Sequence, residues 1–456
     1  MSQFKMDYYH AGRKWLYSLI TDPQGERFNQ KKSLLERRVQ LEEQVERISL
    51  FLEFIGNPQN NFNSVHIAGT SGKGSVTSFI SSLLYTCGFK TADHTSPYLQ
   101  VVNEKLRLNN TMISPHEFAE LISLFKQMYN EWVAKGNTLA YTEAWVALTF
   151  IWFDLKNVDW AVTEASMGGR FDPTVVLPSN LSVITNVNFD HTGPLGTTLK
   201  EIAWHKAGII KKNSYTLTAE SNSKAFGVIA EEARKKNSNL FRLIYKTEAD
   251  GTLTVKTPHR TIDKINKDSI SGFNIENIAT AITAVDILSS QYRFDLNKKN
   301  IEKAIGDTFF PGRMEILQDS PIVIIDAAHN PHKIEYVVNV MKNQYSNKKI
   351  SCVVGFIQDK DTEEMLISLS SITSNFIVAE PKVFGKPAQS INKVAAQIKE
   401  VIPNSIVEKC YNLHQYLFNK IKTMNSDEIL FITGSIYLIG EAREYWYPSS
   451  EILRSL

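Results

Sequence analysis

The sequence predicts an α/β protein of two domains: a first domain with a mostly parallel sheet, and a smaller, Rossmann-like second. Three observations carry this reading. Short apolar runs of strand length alternate with helix-length segments through most of the chain. A glycine-rich turn, Gly69-Thr70-Ser71-Gly72-Lys73-Gly74-Ser75, joins one such run to a helical segment. Polar residues recur at the carboxyl ends of the runs, where an open parallel sheet receives its ligands.

Taken in order, residues 30–55 read as one helix, because Leu34, Leu35, Val39, Leu41, Val45, Ile48, Leu52 and Ile55 recur at helical spacing. Gly56-Asn57-Pro58 stops it. Residues 64–68 read as a strand and 75–84 as an amphipathic helix beyond the turn. Strands at 160–164 and 181–186 and helices around 199–210 and 278–289 continue the alternation. The stretch 247–267, rich in Thr, Lys and Asp, reads as a β-excursion on the first domain. Polar residues 291–299, a short helix and Pro311-Gly312 precede a second set of strands at 322–326, 351–355, 375–379 and 429–433. The expected boundary is near 295, giving domains of 1–295, with an N-terminal helical segment, and 296–456.

A chain of 456 residues with 43% hydrophobic and 21% charged residues has room for two large cores. Its formal charge of +2 gives no global field for nucleic acid or an anionic membrane, so neither is expected as a partner. Cys87, Cys352 and Cys410, without CxxC pairing, disfavour a disulfide framework and a thiolate zinc site, and fit a reducing cytoplasm. The N-terminus has no apolar signal core, and no run approaches the roughly 18 apolar residues of a membrane span.

The turn at 69–75 suits phosphate. Its glycines let several N–H groups converge on one anion, Lys73 adds a point charge, Ser75 can reach a magnesium ion, and the following helix contributes its positive end. The strict P-loop spacing is not met: Ile67 stands where the first glycine belongs, and Gly74 separates Lys73 from Ser75. Against a bare strand-to-helix turn, the strand, lysine and helix together favour nucleotide binding.

Four strand ends carry further candidates. Strand 160–164 ends in Glu164, a carboxylate placed for a nucleotide-bound magnesium ion, or alternatively a structural partner of nearby Arg170. Strand 181–186 runs into Asp190-His191, and Lys206 follows fifteen residues later; alone, these read as structural or solvated groups, since magnesium prefers oxygen. Strand 322–325 ends in Asp326-Ala327-Ala328-His329-Asn330-Pro331, thirteen residues after Arg313. Arginine suits a phosphate between domains and a strand-end aspartate a ribose hydroxyl, the alternative being an interdomain salt bridge.

In order along the chain, Glu46-Arg47, residues 52–59, the phosphate loop, Ser96-Pro97-Tyr98-Leu99, residues 164–172, Asp190-His191, Leu195-Gly196, residues 202–211, Pro311-Gly312-Arg313, residues 326–331, Asp359-Lys360-Asp361 and Gly434-Ser435-Ile436-Tyr437-Leu438 make a pattern. From about 45 to 443 the chain resembles the folylpolyglutamate synthase/dihydrofolate synthase branch of the Mur ligases. The resemblance implies a P-loop ATPase domain plus a Rossmann-like glutamate-ligase domain, and an ATP-dependent ligase working through an acyl phosphate. It implies ATP contacts from Thr70, Ser71, Gly72, Lys73, Gly74 and Ser75, adenine contact by Asn277, and second-domain contacts by Arg313 and Asp326, with His329 beside them. It implies two Mg2+ sites, held by Ser75, Ser96 and Glu164 and by His191, the second assisted by a carbamylated Lys206. Lys73, Lys206, His191, Asp326 and His329 are the implied catalytic set. Thr142, Glu143, Arg170, Phe171 and Asp172 are the implied substrate contacts. Expected partners are small molecules only: a folate or pteroate, L-glutamate and ATP, bound by a monomer.

The chain departs from the pattern at Ser71, Val175, His205 and Ala327, and, toward the substrate, at Thr142 and Gln44, where an aromatic and a glycine are usual. Rival readings are a Mur-like ligase for a non-folate carboxylate, a P-loop ATPase or kinase that makes no amide, and a nucleotide-binding scaffold. The Lys206, Arg313 and Asp326 segments argue against the kinase, and retained Lys73, Glu164, His191 and Lys206 against the scaffold.

Overall fold

The computed structural model describes residues 3–22, 34–190, 192–266, 274–358, 360–383 and 386–456. Its first sheet contains β1 (Asn63–Ala68), β2 (Thr91–His94), β3 (Leu106–Leu108), β4 (Thr111–Met112), β5 (Trp160–Glu164), β6 (Leu181–Ile184), β7 (Tyr215–Thr218) and β8 (Asn239–Arg242). The spatial order is β4-β3-β2-β5-β1-β6-β7-β8, parallel from β2 to β8 and antiparallel at the β2–β3–β4 edge. β1 therefore lies between β5 and β6, and the turn after it leaves from the middle of the sheet.

Alternation along the strands separates two cores. Trp160 and Val162 of β5 face a layer built on helices Lys73–Thr86, Ile275–Tyr292 and Lys298–Asp307. Ala161 faces the opposite layer, made by helices Gln3–Tyr17, Leu34–Phe54, Pro115–Ala134 and Tyr141–Leu155. The helix expected to be amphipathic after the turn is instead buried on all sides from Val76 to Leu84. It is sandwiched between the sheet and two further helices, and two of its hydroxyls find carbonyl partners inside: Ser82 Oγ donates to Ala304 O at 3.0 Å and Ser78 Oγ to Gly74 O at 3.0 Å.

The β-excursion is present as a three-stranded antiparallel sheet, β9 (Tyr245–Thr247), β10 (Leu253–Lys256) and β11 (Thr261–Ile265), in the order β11-β10-β9. Leu253, Val255 and Ile262 join the first-domain core, and Arg260 Nε donates to Asp286 Oδ1 at 2.6 Å.

The second sheet contains β12 (Glu315–Asp319), β13 (Ile322–Ile325), β14 (Lys349–Val354), β15 (Asn375–Ala379), β16 (Ile406–Cys410) and β17 (Glu428–Thr433), in the order β12-β13-β17-β14-β15-β16. Only the β12–β13 pair is antiparallel. Helices Pro331–Gln344, Thr362–Ser370 and Ile391–Val401 cover one face, and Leu413–Thr423 and Ile436–Arg443 the other. Helix Lys298–Asp307, beyond the expected break at 295, packs on the phosphate-loop helix and belongs by its contacts to the first core. Among the described residues no helix is long and apolar enough to cross a membrane.

Candidate active site

The register of the central strands assembles the site. Ile67 of β1 pairs with Glu164 of β5, and Ala68 with Ile184 of β6, so residues 69–75, Glu164 and 185–190 leave the sheet side by side. The loop is held by these neighbours. Thr70 N–H donates to Asn186 O at 3.0 Å and Ser71 N–H to Asn186 Oδ1 at 2.9 Å, while Thr185 Oγ1 donates to Ser71 O at 2.6 Å. Thr70 Oγ1 donates to Asn188 O at 3.0 Å and accepts the Asn188 N–H at 2.9 Å. The Ser71 hydroxyl has no hydrogen-bond partner, and nothing in the structure explains this residue type.

Gly72 caps the following helix at φ 81°, in the left-handed region, and a Cβ there would strike the Asn277 side chain. Gly74 is constrained by space alone. A Cβ would lie 2.8 Å from Phe310 Cζ and 3.2 Å from Glu164 Oε2. The residue that breaks the usual spacing is thus the one over which the interdomain segment closes.

Glu164 is buried, with Oε1 3.6 Å from Lys73 Nζ and Oε2 accepting the Ser96 N–H at 3.1 Å. Burial pushes its carboxyl above the usual range, while Lys73 and the Ser96 amide oppose the shift. Arg170 is not its partner: that guanidinium reaches Glu232 at 3.0 Å and stacks over Trp204 at 4.2 Å. Lys206 is 2% exposed, and burial, with the Lys73 and Lys333 charges, brings its ammonium down from 10.5 to about 7.

The second domain closes the other side. Asp326, at the end of β13, accepts the Met314 N–H at 2.9 Å and the Ala328 N–H at 2.7 Å, pinning the turn that carries Arg313 to the strand end. Arg313 lies 5.0 Å over the Phe310 ring; no ion pair joins it to Asp326. His329 Nδ1 contacts Ala327 O at 2.8 Å, and burial keeps the ring neutral, its pKa well below the ordinary value. Asp190 reaches across the gap to Lys360 Nζ at 2.9 Å and Asn330 Nδ2 at 3.2 Å.

Lys73, Glu164, Asp190, Lys206, Phe310, Arg313, Asp326 and His329 line one cleft of about 250 Å³, together with Ser75, Ser96, Asn277 and Lys333. His191 lies outside the described residues. Thr142, Glu143, Arg170, Phe171 and Asp172 do not line the cleft. Thr142 is exposed, and Glu143 is buried against Arg47, whose Nη2 donates to Oε1 at 2.7 Å. Phe171 packs against Trp204, His205 and Arg38, and Asp172 caps residues 173–176. Sequence reasoning missed Phe310, Lys333 and the Asp190–Lys360 bridge as site features. The available signal was Lys333 four residues after His329, one helical turn on.

Among the described residues no three His, Cys, Asp or Glu side chains converge to hold a metal alone. The donors at the cleft, the Glu164 carboxylate and the Ser75 and Ser96 hydroxyls, are all oxygen and fit a hard cation that shares its ligands with a bound phosphate.

The Mur ligase middle domain matches residues 67–285, and the Mur ligase glutamate ligase domain matches residues 312–436. The Bacillus subtilis dihydrofolate synthase/folylpolyglutamate synthase is 30% identical over 409 residues, covering 87% of this chain and 94% of the relative. The solved folylpolyglutamate synthase of Thermotoga maritima superposes with a TM-score of 0.74 at 27% identity, over 91% of this chain and 96% of its own. A bifunctional folylpolyglutamate synthase/dihydrofolate synthase solved with Mn, AMPPNP and L-glutamate bound shares the fold with a TM-score of 0.76 at 22% identity, over 90% and 97% of the two chains.

Proposed function

Because the chain belongs to the dihydrofolate synthase/folylpolyglutamate synthase family of the Mur ligases, we propose that its cleft joins L-glutamate to a folate-type carboxylate at the expense of ATP, releasing ADP and phosphate. One observation carries this reading: a phosphate-loop lysine and a buried carboxylate, Lys73 and Glu164, face Arg313, Asp326 and His329 of the second domain across one cleft.

The chemistry follows from the weakness of a carboxylate as an acyl donor. Lys73 and the loop amides hold the terminal phosphate, and Arg313 meets it from the interdomain turn. The acceptor's carboxylate oxygen attacks the γ-phosphorus, ADP leaves, and an acyl phosphate remains. The glutamate amine then attacks the acyl carbon, loses a proton, and phosphate departs. Closure of the second domain, latched by Asp190 and Lys360, keeps water from the intermediate.

Glu164, Ser75 and Ser96 would hold one magnesium ion and His191 a second, which when bound neutralise charge on the phosphates. The lowered pKa of Lys206 supports its carbamylation, which turns a buried cation into an oxygen ligand. Asn277, beside Gly72, is assigned to the adenine end, and Thr142, Glu143, Arg170, Phe171 and Asp172 to the acceptor side. Packing supports a division after Asp307 rather than at 295. Both walls of the cleft come from one chain, which supports a monomer, and three unpaired cysteines fit a reducing cytoplasm. The deciding assay supplies ATP, glutamate and either dihydropteroate or a tetrahydrofolate. ADP release is expected only when acid and amine are both present; release without the amine overturns the ligase reading.

A further inference from the structure

Lys333 has no part in the reaction as described, yet it lines the cleft. It stands in the first turn of helix Pro331–Gln344, four residues after His329. The His329 ring is oriented by its Nδ1–H donating to Ala327 O at 2.8 Å, which leaves Nε2 as the lone-pair nitrogen. Lys333 Nζ donates to that nitrogen at 3.2 Å.

Among the described residues no carboxylate lies within ion-pair distance of Nζ. The acid it feels most, Asp190, is already bound by Lys360 and Asn330. Lys73, Arg313 and Lys360 all act on it as like charges. Burial and these like charges bring its pKa down from 10.5 to about 7, so full protonation of this half-buried amine is favoured when a bound anion completes the charge balance. Its electrostatic neighbours fix which part of a ligand that is. Lys73 acts on Lys333, and Lys206 and Glu164 both feel the Lys333 charge; these are the groups that the ligase reading places about the terminal phosphate.

We propose that Lys333 is a second-domain ligand of the transferring phosphoryl group, aimed at it by His329 as a positioning residue. The inference rests on the ligase reading of the cleft. Its role differs from that of Lys73, because Lys333 arrives only with the second domain and so couples closure to the presence of the γ-phosphate.

Titration calorimetry on the full chain, with ADP and with a non-hydrolysable ATP analogue, tests it. Lys333→Ala is expected to weaken the analogue at least tenfold and leave ADP binding unchanged, and to lower kcat for ADP release about 100-fold. Lys333→Arg should restore part of both, and His329→Asn should give an intermediate loss. Lys333→Gln, which keeps the stem, repeats the measurement should the alanine variant misfold. Unchanged analogue binding overturns the proposal, as does a rise in KM for glutamate alone. Failure of the ligase reading is seen separately, in wild-type protein that releases ADP without glutamate.

Discussion

At the scale of single residues, Gly74 and Lys206 make opposite demands on their surroundings. Gly74 sits inside a helix, where alanine is favoured by up to about 1 kcal/mol. Only space forbids the extra carbon, since Phe310 Cζ and Glu164 Oε2 lie at 2.8 and 3.2 Å from where it would stand. Gly74→Ala is therefore expected to change thermal stability little, the helix gain being offset by the displaced Phe310 ring, while ADP formation falls by about tenfold, as a displaced carboxylate does to a positioned phosphate. Wild-type turnover would mean that the Phe310 ring gives way freely. Lys206 needs the reverse, a closed environment that lowers its pKa to about 7, so that a large share of the amine is neutral near that pH. If Lys206 is carbamylated as proposed, Lys206→Ala is expected to lose activity by about 100-fold, with partial recovery when formate or acetate is added to stand in for the carbamate oxygens. Activity without the additive would reduce this lysine to a buried structural cation.

At the scale of elements, what was legible in the chain is what periodicity and strand-end chemistry encode. β1, β5 and β13 were readable because each is a short, largely apolar run that leads into the glycine-rich turn or reaches a carboxylate, Glu164 at the end of β5 and Asp326 just after β13. The phosphate-loop helix was misread as amphipathic because serine and threonine look solvent-facing in sequence, whereas here they are buried, and Ser78 and Ser82 bond to carbonyls inside the packed layer. The short turn Val102–Lys105 was not legible at all, since a lysine that ends it looks like a surface charge. It is 8% exposed, with its ammonium 4.0 Å from the Trp145 ring centre, and burial lowers its pKa from 10.5 to about 7. The unfolded chain restores the ordinary value, so between about pH 7 and 10.5 unfolding takes up a proton and stability rises with pH. Lys105→Met should accordingly raise the melting temperature at pH 7, by about 2–4 °C for each kcal/mol gained, and raise it less at pH 9. Thermal melts at the two pH values decide. A gain independent of pH would assign the effect to packing rather than to the buried charge.

At the scale of the whole molecule, the sequence displayed both walls of the site but not their meeting. Asp190 and the residues around Lys360 lie 170 positions apart, and nothing local tells either that it faces the other. The bridge is nearly enclosed, with side-chain exposures of 11% for Lys360 and 9% for Asp190, so removing one partner leaves the other charge poorly solvated and costs more than breaking a surface pair. It spans the two domains beside the cations of the cleft, and cutting it should loosen closure without removing a group assigned to the nucleotide. The consequence falls on the second half of the reaction: an acyl phosphate formed in a loosely closed cleft meets water before it meets the amine. Lys360→Ala is expected to make ADP in excess of the glutamylated product, whereas the wild-type chain should make the two in equal amounts. Measuring both products in one time course gives that ratio directly. A ratio that stays at unity while the overall rate falls would place Lys360 in binding or phosphoryl transfer instead of closure.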